Sequence, residues 1–184
     1  MSLEYAALGF LSYRPMSGYD LKKYFDESVG HFWSATQSHI YKALDALQQR
    51  GAVQVELIPQ HGRPNRKEYR ITESGRAELQ AWLKTPLPLE LVREPWLIQV
   101  FFAHNLLNED LAKLFEARAD LIRALLASYS QAESVIEANA ARLGSPRMRA
   151  LWQMTLDYGT SFHQFELGWL EQAARRARDL PPLG

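Results

Sequence analysis

The sequence predicts a mainly α-helical protein with one small β-hairpin: an N-terminal winged helix-turn-helix followed by a C-terminal domain of long, dimerising helices. Three observations predict it. Residues 34–47 place apolar side chains on one edge of a helix and small polar ones on the other. Two alternating segments joined by a cationic turn follow directly. Beyond residue 108 the apolar spacing stays helical, with one interruption, nearly to the end of the chain.

Residues 3–12, with Leu3, Ala7, Leu8, Phe10 and Leu11, suit a helix buried on more than one side, and Pro15 ends it. Ser17 is the expected N-cap of a second helix carrying Leu21 and Phe25. Gly30 breaks that helix. A third starts near Ser34 or Thr36, puts Ile40, Ala43, Leu44 and Leu47 on one stripe, and stops at Gly51. Val53, Val55 and Leu57 alternate as in a half-buried strand; residues 59–66 are turn chemistry; Tyr69 and Ile71 alternate on the return strand. Thr72 caps a fourth helix with Leu79, Trp82 and Leu83 inward.

Thr85-Pro86-Leu87-Pro88 marks a boundary, giving a winged domain over 1–84, a linker over 85–93 and a helical domain over 94–180 for dimerisation and effector binding. Leu97, Val100 and Phe101 suit a short amphipathic helix. Asn108 is the expected cap of a long one carrying Leu111, Leu114, Phe115, Leu121, Ile122, Leu125, Leu126, Tyr129 and Ile136. Gly144-Ser145-Pro146 stops it and starts the last helix, which carries Met148, Trp152, Thr155, Leu156, Gly159, Phe162, Trp169, Leu170 and Ala173. A helix over 108–143 runs roughly 50 Å, against a radius of gyration near 16 Å for a compact chain of this size. Its apolar stripe therefore calls for a second chain, and a homodimer is expected.

Apolar content of 47% supports a real core within 184 residues, and the absence of cysteine excludes disulfide frameworks and thiolate metal sites. No export signal is read at the N-terminus, and no apolar run approaches the roughly 20 residues of a membrane span. A cytoplasmic protein without a membrane role is expected. Net charge is zero, an argument against nucleic-acid binding, but its distribution softens this. Residues 1–84 carry 11 Lys/Arg against 9 Asp/Glu, and residues 61–70 hold Arg63, Arg66, Lys67 and Arg70 against Glu68 alone.

The outward set near the start of the third helix is Ser34, Gln37, Ser38, Tyr41 and Lys42. Small donors allow close approach to a major groove, Gln pairs bidentately with adenine, and Lys reaches guanine or phosphate. An ordinary solvated helix face has the same pattern, and a charged hairpin can serve solubility alone. The loop with Arg63, Arg66 and Lys67, shaped by Gly62 and Pro64 and suited to phosphate or minor-groove contact, tips the reading to DNA.

Ser17-Gly18-Tyr19-Asp20-Leu21, Phe32-Trp33-Ser34-Ala35, Ile40-Tyr41-Lys42-Ala43-Leu44 and residues 66–75 (Arg-Lys-Glu-Tyr-Arg-Ile-Thr-Glu-Ser-Gly) resemble the PadR family of transcriptional regulators. Phe101-Phe102-Ala103, Leu156-Asp157-Tyr158-Gly159 and Trp169-Leu170 are similar to the helical C-terminal region of its longer members. The resemblance implies a homodimeric repressor reading a palindromic operator in double-stranded DNA. It places Gln37, Ser38, Tyr41 and Lys42 in the major groove and Arg63, Arg66 and Lys67 at the backbone or minor groove. Lys42 departs from the family, many of whose members have Pro after the helix Tyr, so operator sequence does not carry over.

The resemblance also implies release by a small, often aromatic, effector. Trp33, Trp96, Trp152, Tyr158, His163 and Trp169 are the candidate effector residues, and each also reads as core or interface. Enzyme motifs (Gly-x-x-x-x-Gly-Lys-Ser/Thr, Gly-x-Ser-x-Gly, His-Glu-x-x-His) are missing, and the five histidines lack ligand spacing, so no enzyme, cofactor or metal is expected. Two alternatives stay open: a winged-helix module that docks proteins, and a small-molecule-binding protein without a DNA role.

Overall fold

A computed structural model describes residues 2–30, 32–59, 65–89 and 93–182, the side chain of residue 143 excepted. The chain divides into two compact units, Met1–Leu89 and Glu90–Gly184.

The first unit is built from helices α1 (Ser2–Leu11), α2 (Gly18–Ser28), α3 (Gln37–Gln49) and α4 (Glu73–Leu83), and from strands β1 (Met16–Ser17), β2 (Val53–Ile58) and β3 (Arg66–Ile71). The strands form an antiparallel sheet in the order β1-β3-β2, with Val55 opposite Tyr69 and Leu57 opposite Lys67. Each helix start has a chemical cause. Ser17 and Asp20 form a reciprocal capping box on α2, Thr36 Oγ1 accepts from the His39 amide at 3.3 Å on α3, and Thr72 Oγ1 accepts from Gly75 at 3.1 Å on α4. Gly51 follows α3 with φ +75°, the left-handed conformation that glycine adopts at no steric cost.

Leu8, Leu21, Phe25, Ile40, Leu44, Leu47 and Tyr69 are fully buried between these elements, and Tyr5 stacks on Trp82 at 4.7 Å to pin α1 to α4. Two expectations need correction. Leu57 and Leu83 are exposed, because β2 runs outward past the core and α4 ends beyond it. The two-residue strand β1 also adds a third strand to the expected hairpin.

Arg50, at the C-terminus of α3, bonds Glu4 of α1 and Glu78 of α4, the latter at 2.8 Å. Burial opposes its charge, yet the hydrogen bonds that it donates to Glu78 and Glu4 hold its pKa above the ordinary value. Arg50→Ala is expected to destabilise the first unit by about 1 kcal/mol, a partly exposed network being worth little more; urea denaturation checks it.

The second unit comprises α5 (Pro95–Phe101), a 3₁₀ turn over Ala103–Asn105, and two long antiparallel helices, α6 (Asn108–Leu143) and α7 (Pro146–Arg178). Gly144 (φ +63°) ends α6, and Ser145 Oγ accepts from the Met148 amide at 3.3 Å to start α7 with Pro146 in the first turn. At 36 residues α6 is about 54 Å long. Leu111, Phe115, Ile122, Tyr129 and Ile136 of α6 pack against Leu156, Leu170 and Ala174 of α7.

Asn108 is not the cap of α6. Leu107 holds that position without a side-chain bond, and Asn108 Nδ2 donates instead to the carbonyls of Leu180 (2.6 Å) and Arg178 (3.3 Å). Nor do the apolar residues form one stripe. Leu114 and Leu121 of α6, and Phe162 and Trp169 of α7, face outward.

Candidate nucleic-acid interface

Residue spacing on α3 decides what this helix presents. Ile40, Ala43, Leu44 and Leu47 are buried, which turns Ser38, Lys42 and Asp45 to solvent, with Tyr41 partly covered and Gln37 half-buried in the first turn. Ser34 is exposed just ahead of the helix. Tyr41 lies across the start of α2: a Cβ on Gly18 would stand 2.5 Å from the Tyr41 ring. Only a residue without a side chain lets the ring seat there.

Two residues further along α2, the Asp20 carboxylate that completes the capping box also pairs with Arg66 at the base of the wing. The first turn of α2 thus touches both Tyr41 on the helix and Arg66 on the sheet. Lys67, next on β3, is exposed. Neither Lys42 nor Lys67 has a carboxylate partner among the described residues. Arg63, with the loop residues 60–64, lies outside the described residues.

Two acidic residues act here in ways that the sequence alone did not assign. Asp20 stands three residues after its capping serine, a spacing that could have revealed it. Asp45 shares the exposed face with Lys42 and helps keep the buried Tyr69 phenol protonated: burial raises that pKa first, then the charges on Asp45 and Tyr41. A carboxylate on a helix that met DNA would oppose phosphate. Asp45→Asn is expected to tighten DNA binding about two- to fivefold at low salt, with less gain at high salt, as read by fluorescence anisotropy.

Trp33 belongs to the first unit and is exposed there. The five aromatic candidates of the second unit do not form one cluster. Trp96 and Trp169 meet edge to face at 5.7 Å, and the Arg118 guanidinium lies 4.3 Å above the Trp96 ring. Trp96 Nε1 donates to Glu94 Oε2 at 2.8 Å, and Arg118 joins Glu94 to Glu166 at 3.5 and 2.6 Å. His163 Nδ1 is 3.3 Å from Glu166 and its ring 6.0 Å from that of Tyr129. Trp152 packs beside Tyr129 and Leu156, whereas Tyr158 is exposed and stacks on Phe162. Leu151, Met154 and Phe165 continue the outward stripe of Tyr158, Phe162 and Trp169.

A three-helix core with a three-stranded wing, an exposed cation on the third helix and another on the wing define the class of winged-helix regulators that bind DNA. The model of the transcriptional regulator PadR-like family matches residues 7–81, and that of the virulence activator alpha C-terminal region matches residues 92–178. The negative transcriptional regulator PadR of Bacillus subtilis is 33% identical over 140 residues, 75% of this chain and 76% of that protein. The probable transcriptional regulator Rv1176c of Mycobacterium tuberculosis is 44% identical over 87 residues, which cover 47% of this chain and 46% of that one, so the match spans about half its length.

Bacillus subtilis PadR in complex with operator DNA superposes with a TM-score of 0.78 at 28% identity, covering 96% of this chain and 99% of that one. The same protein in complex with p-coumaric acid gives 0.76 at 28% identity, over 97% and 96%. The chain belongs to the PadR-like family of transcriptional regulators.

Proposed function

We propose that two copies of this chain form a homodimer that represses transcription by binding a palindromic operator and releases it when a small effector binds. Residues 1–84 serve as the DNA-binding domain, 85–93 as linker, and 94–180 as the dimerisation and effector domain. The protein acts in the cytoplasm and is not an enzyme. The observation that carries this reading is the pair of lysines, Lys42 on α3 and Lys67 on β3, exposed and without a carboxylate partner among the described residues. Arg66, paired with Asp20, holds the wing base to α2 and shares its charge with phosphate.

Ser34, Gln37, Ser38 and Tyr41 supply hydrogen bonds near the bases, and Arg63 a further cation. The operator complex of the Bacillus relative supports the DNA partner, and its p-coumaric acid complex supports an aromatic effector. No helix among the described residues is long and apolar enough to cross a membrane.

The test is anisotropy with DNA from the chain's own promoter, across a salt series. Lys42→Ala combined with Lys67→Ala is expected to weaken binding about tenfold or more and to flatten the log–log salt slope by about four, one for each lysine lost from the two chains of the dimer. Binding that survives both changes with its slope intact would remove these lysines from the interface.

A further inference from the structure

Between α5, the start of α6 and the end of α7 lies a groove of about 550 Å³, within the range of small-molecule sites. Its floor is apolar: Leu111, Phe115 and Ala177 are buried beneath it, and Trp169 stands edge to face on Phe115 at 5.9 Å. One wall is the chain past α7, Leu180 to Pro182. That wall is fastened in place. Asn108 holds the carbonyls of Arg178 and Leu180, and Arg178 binds Glu116 at 2.6 Å and Glu109 at 3.3 Å.

The charge of the groove is one-sided. Among the described residues, His104 and Arg176 are its only ionisable lining groups, and no carboxylate lines it. Arg178 two residues away is committed to two glutamates, while Arg176 has no carboxylate partner among the described residues. An apolar floor beneath one permanent positive charge disfavours an ammonium ion. It also disfavours a dianion, whose second charge would sit uncompensated over hydrocarbon. A guanidinium fork matches a carboxylate in bidentate geometry.

We propose that this groove binds an amphipathic monocarboxylate, its carboxylate on Arg176 with His104 alongside and its apolar body along Leu111, Phe115 and Trp169. The proposal deepens the effector reading above and rests on it for the regulatory consequence only. Occupancy is expected to weaken DNA binding.

Calorimetry on the full chain tests it with decanoate as the probe and 1-decanol and decylamine as comparators, all below their aggregation limits. One decanoate is expected per chain, Arg176→Gln to weaken it about tenfold, Ala173→Trp to abolish it by filling the groove, and decylamine not to bind. Decanoate affinity unchanged in Arg176→Gln, or equal affinity for decanoate and decanol, overturns the proposal. So does a dimer that binds no decanoate and that Ala173→Arg splits into monomers, since a second copy of the chain then fills the groove. Decanoate bound as expected but without effect on promoter affinity overturns the effector role of the groove. Promoter release by an aromatic acid that persists unchanged in Arg176→Gln overturns the groove alone and leaves the regulated repressor standing.

Discussion

Replacing Tyr158 and Phe165 together by glutamate is expected to leave each chain helical, make the protein monomeric, and lower operator affinity about 100-fold or more. The expectation comes from how α7 divides its apolar residues. Trp152, Leu156, Gly159, Leu170 and Ala174 turn toward α6 or are buried against it. Leu151, Met154, Tyr158, Phe162, Phe165 and Trp169 recur at steps of three and four on another face, and all are exposed, Tyr158 by 74% and Phe165 by 73%. An outward stripe this long on one helix exceeds what single scattered surface residues would produce.

In the proposed homodimer a second copy of the chain would cover such a stripe with matching chemistry, and a carboxylate introduced there would be buried without a partner at a cost of several kcal/mol. Because both positions are exposed within the chain, the variant does not disturb the α6–α7 packing. The loss of DNA affinity follows from losing the second reading head, since joining two binding modules raises avidity by about 10²–10⁴. Light scattering at micromolar concentration and anisotropy on promoter DNA read the two effects. A dimer mass retained by the variant would show that this stripe is not the contact.

The same division of α7 explains what the sequence made legible and what it did not. Local chemistry identified the helix ends: Ser17, Thr36, Thr72 and Ser145 cap as their side chains demand, and Gly51 and Gly144 take positive φ. The buried stripe of α3 was equally plain, because one helix face meets one core. Long helices defeat that logic. When two faces of α6 and α7 are apolar, spacing places Leu114 and Phe162 on a stripe but not on the inner one.

Pairings between distant residues were also hidden. Asp20 and Arg66 are 46 residues apart, as are Arg50 and Glu4, and nothing in either neighbourhood announces the other. A two-residue strand such as β1 is too short to show alternation. In the candidate site, the polar side chains of α3 could be placed on a face, but the seat of Tyr41 on Gly18 depends on how two helices cross.

Gly75→Ala is expected to destabilise the first unit by about 1–3 kcal/mol, although alanine is the better helix former. Gly75 lies buried in the first turn of α4, and a Cβ there would stand 2.1 Å from the Ala52 carbonyl oxygen and 3.1 Å from Ile71 Cγ1. The obstructing atom is backbone, so no side-chain rotation relieves it. That carbonyl is itself held, accepting from the Thr72 amide and from Thr72 Oγ1, each at 3.1 Å. Thr72 also caps α4 by accepting from the Gly75 amide.

Room for one methyl group therefore means moving α4 off the start of β2, loosening the cap and parting Trp82 from Tyr5. Overpacking costs about 1–3 kcal/mol and a weakened cap about 1 more, against about 1 kcal/mol gained from helix propensity. Gly9→Ala is the control: it lies within α1, nothing stands within 4 Å of its Cβ, and the same propensity gain is expected without the clash. Hydrogen exchange of the α3 and β3 amides separates this unit from the α6–α7 pair. Equal protection in Gly75→Ala and the parent chain would mean that α4 yields at no cost, and the close approach to Ala52 would lose its structural weight.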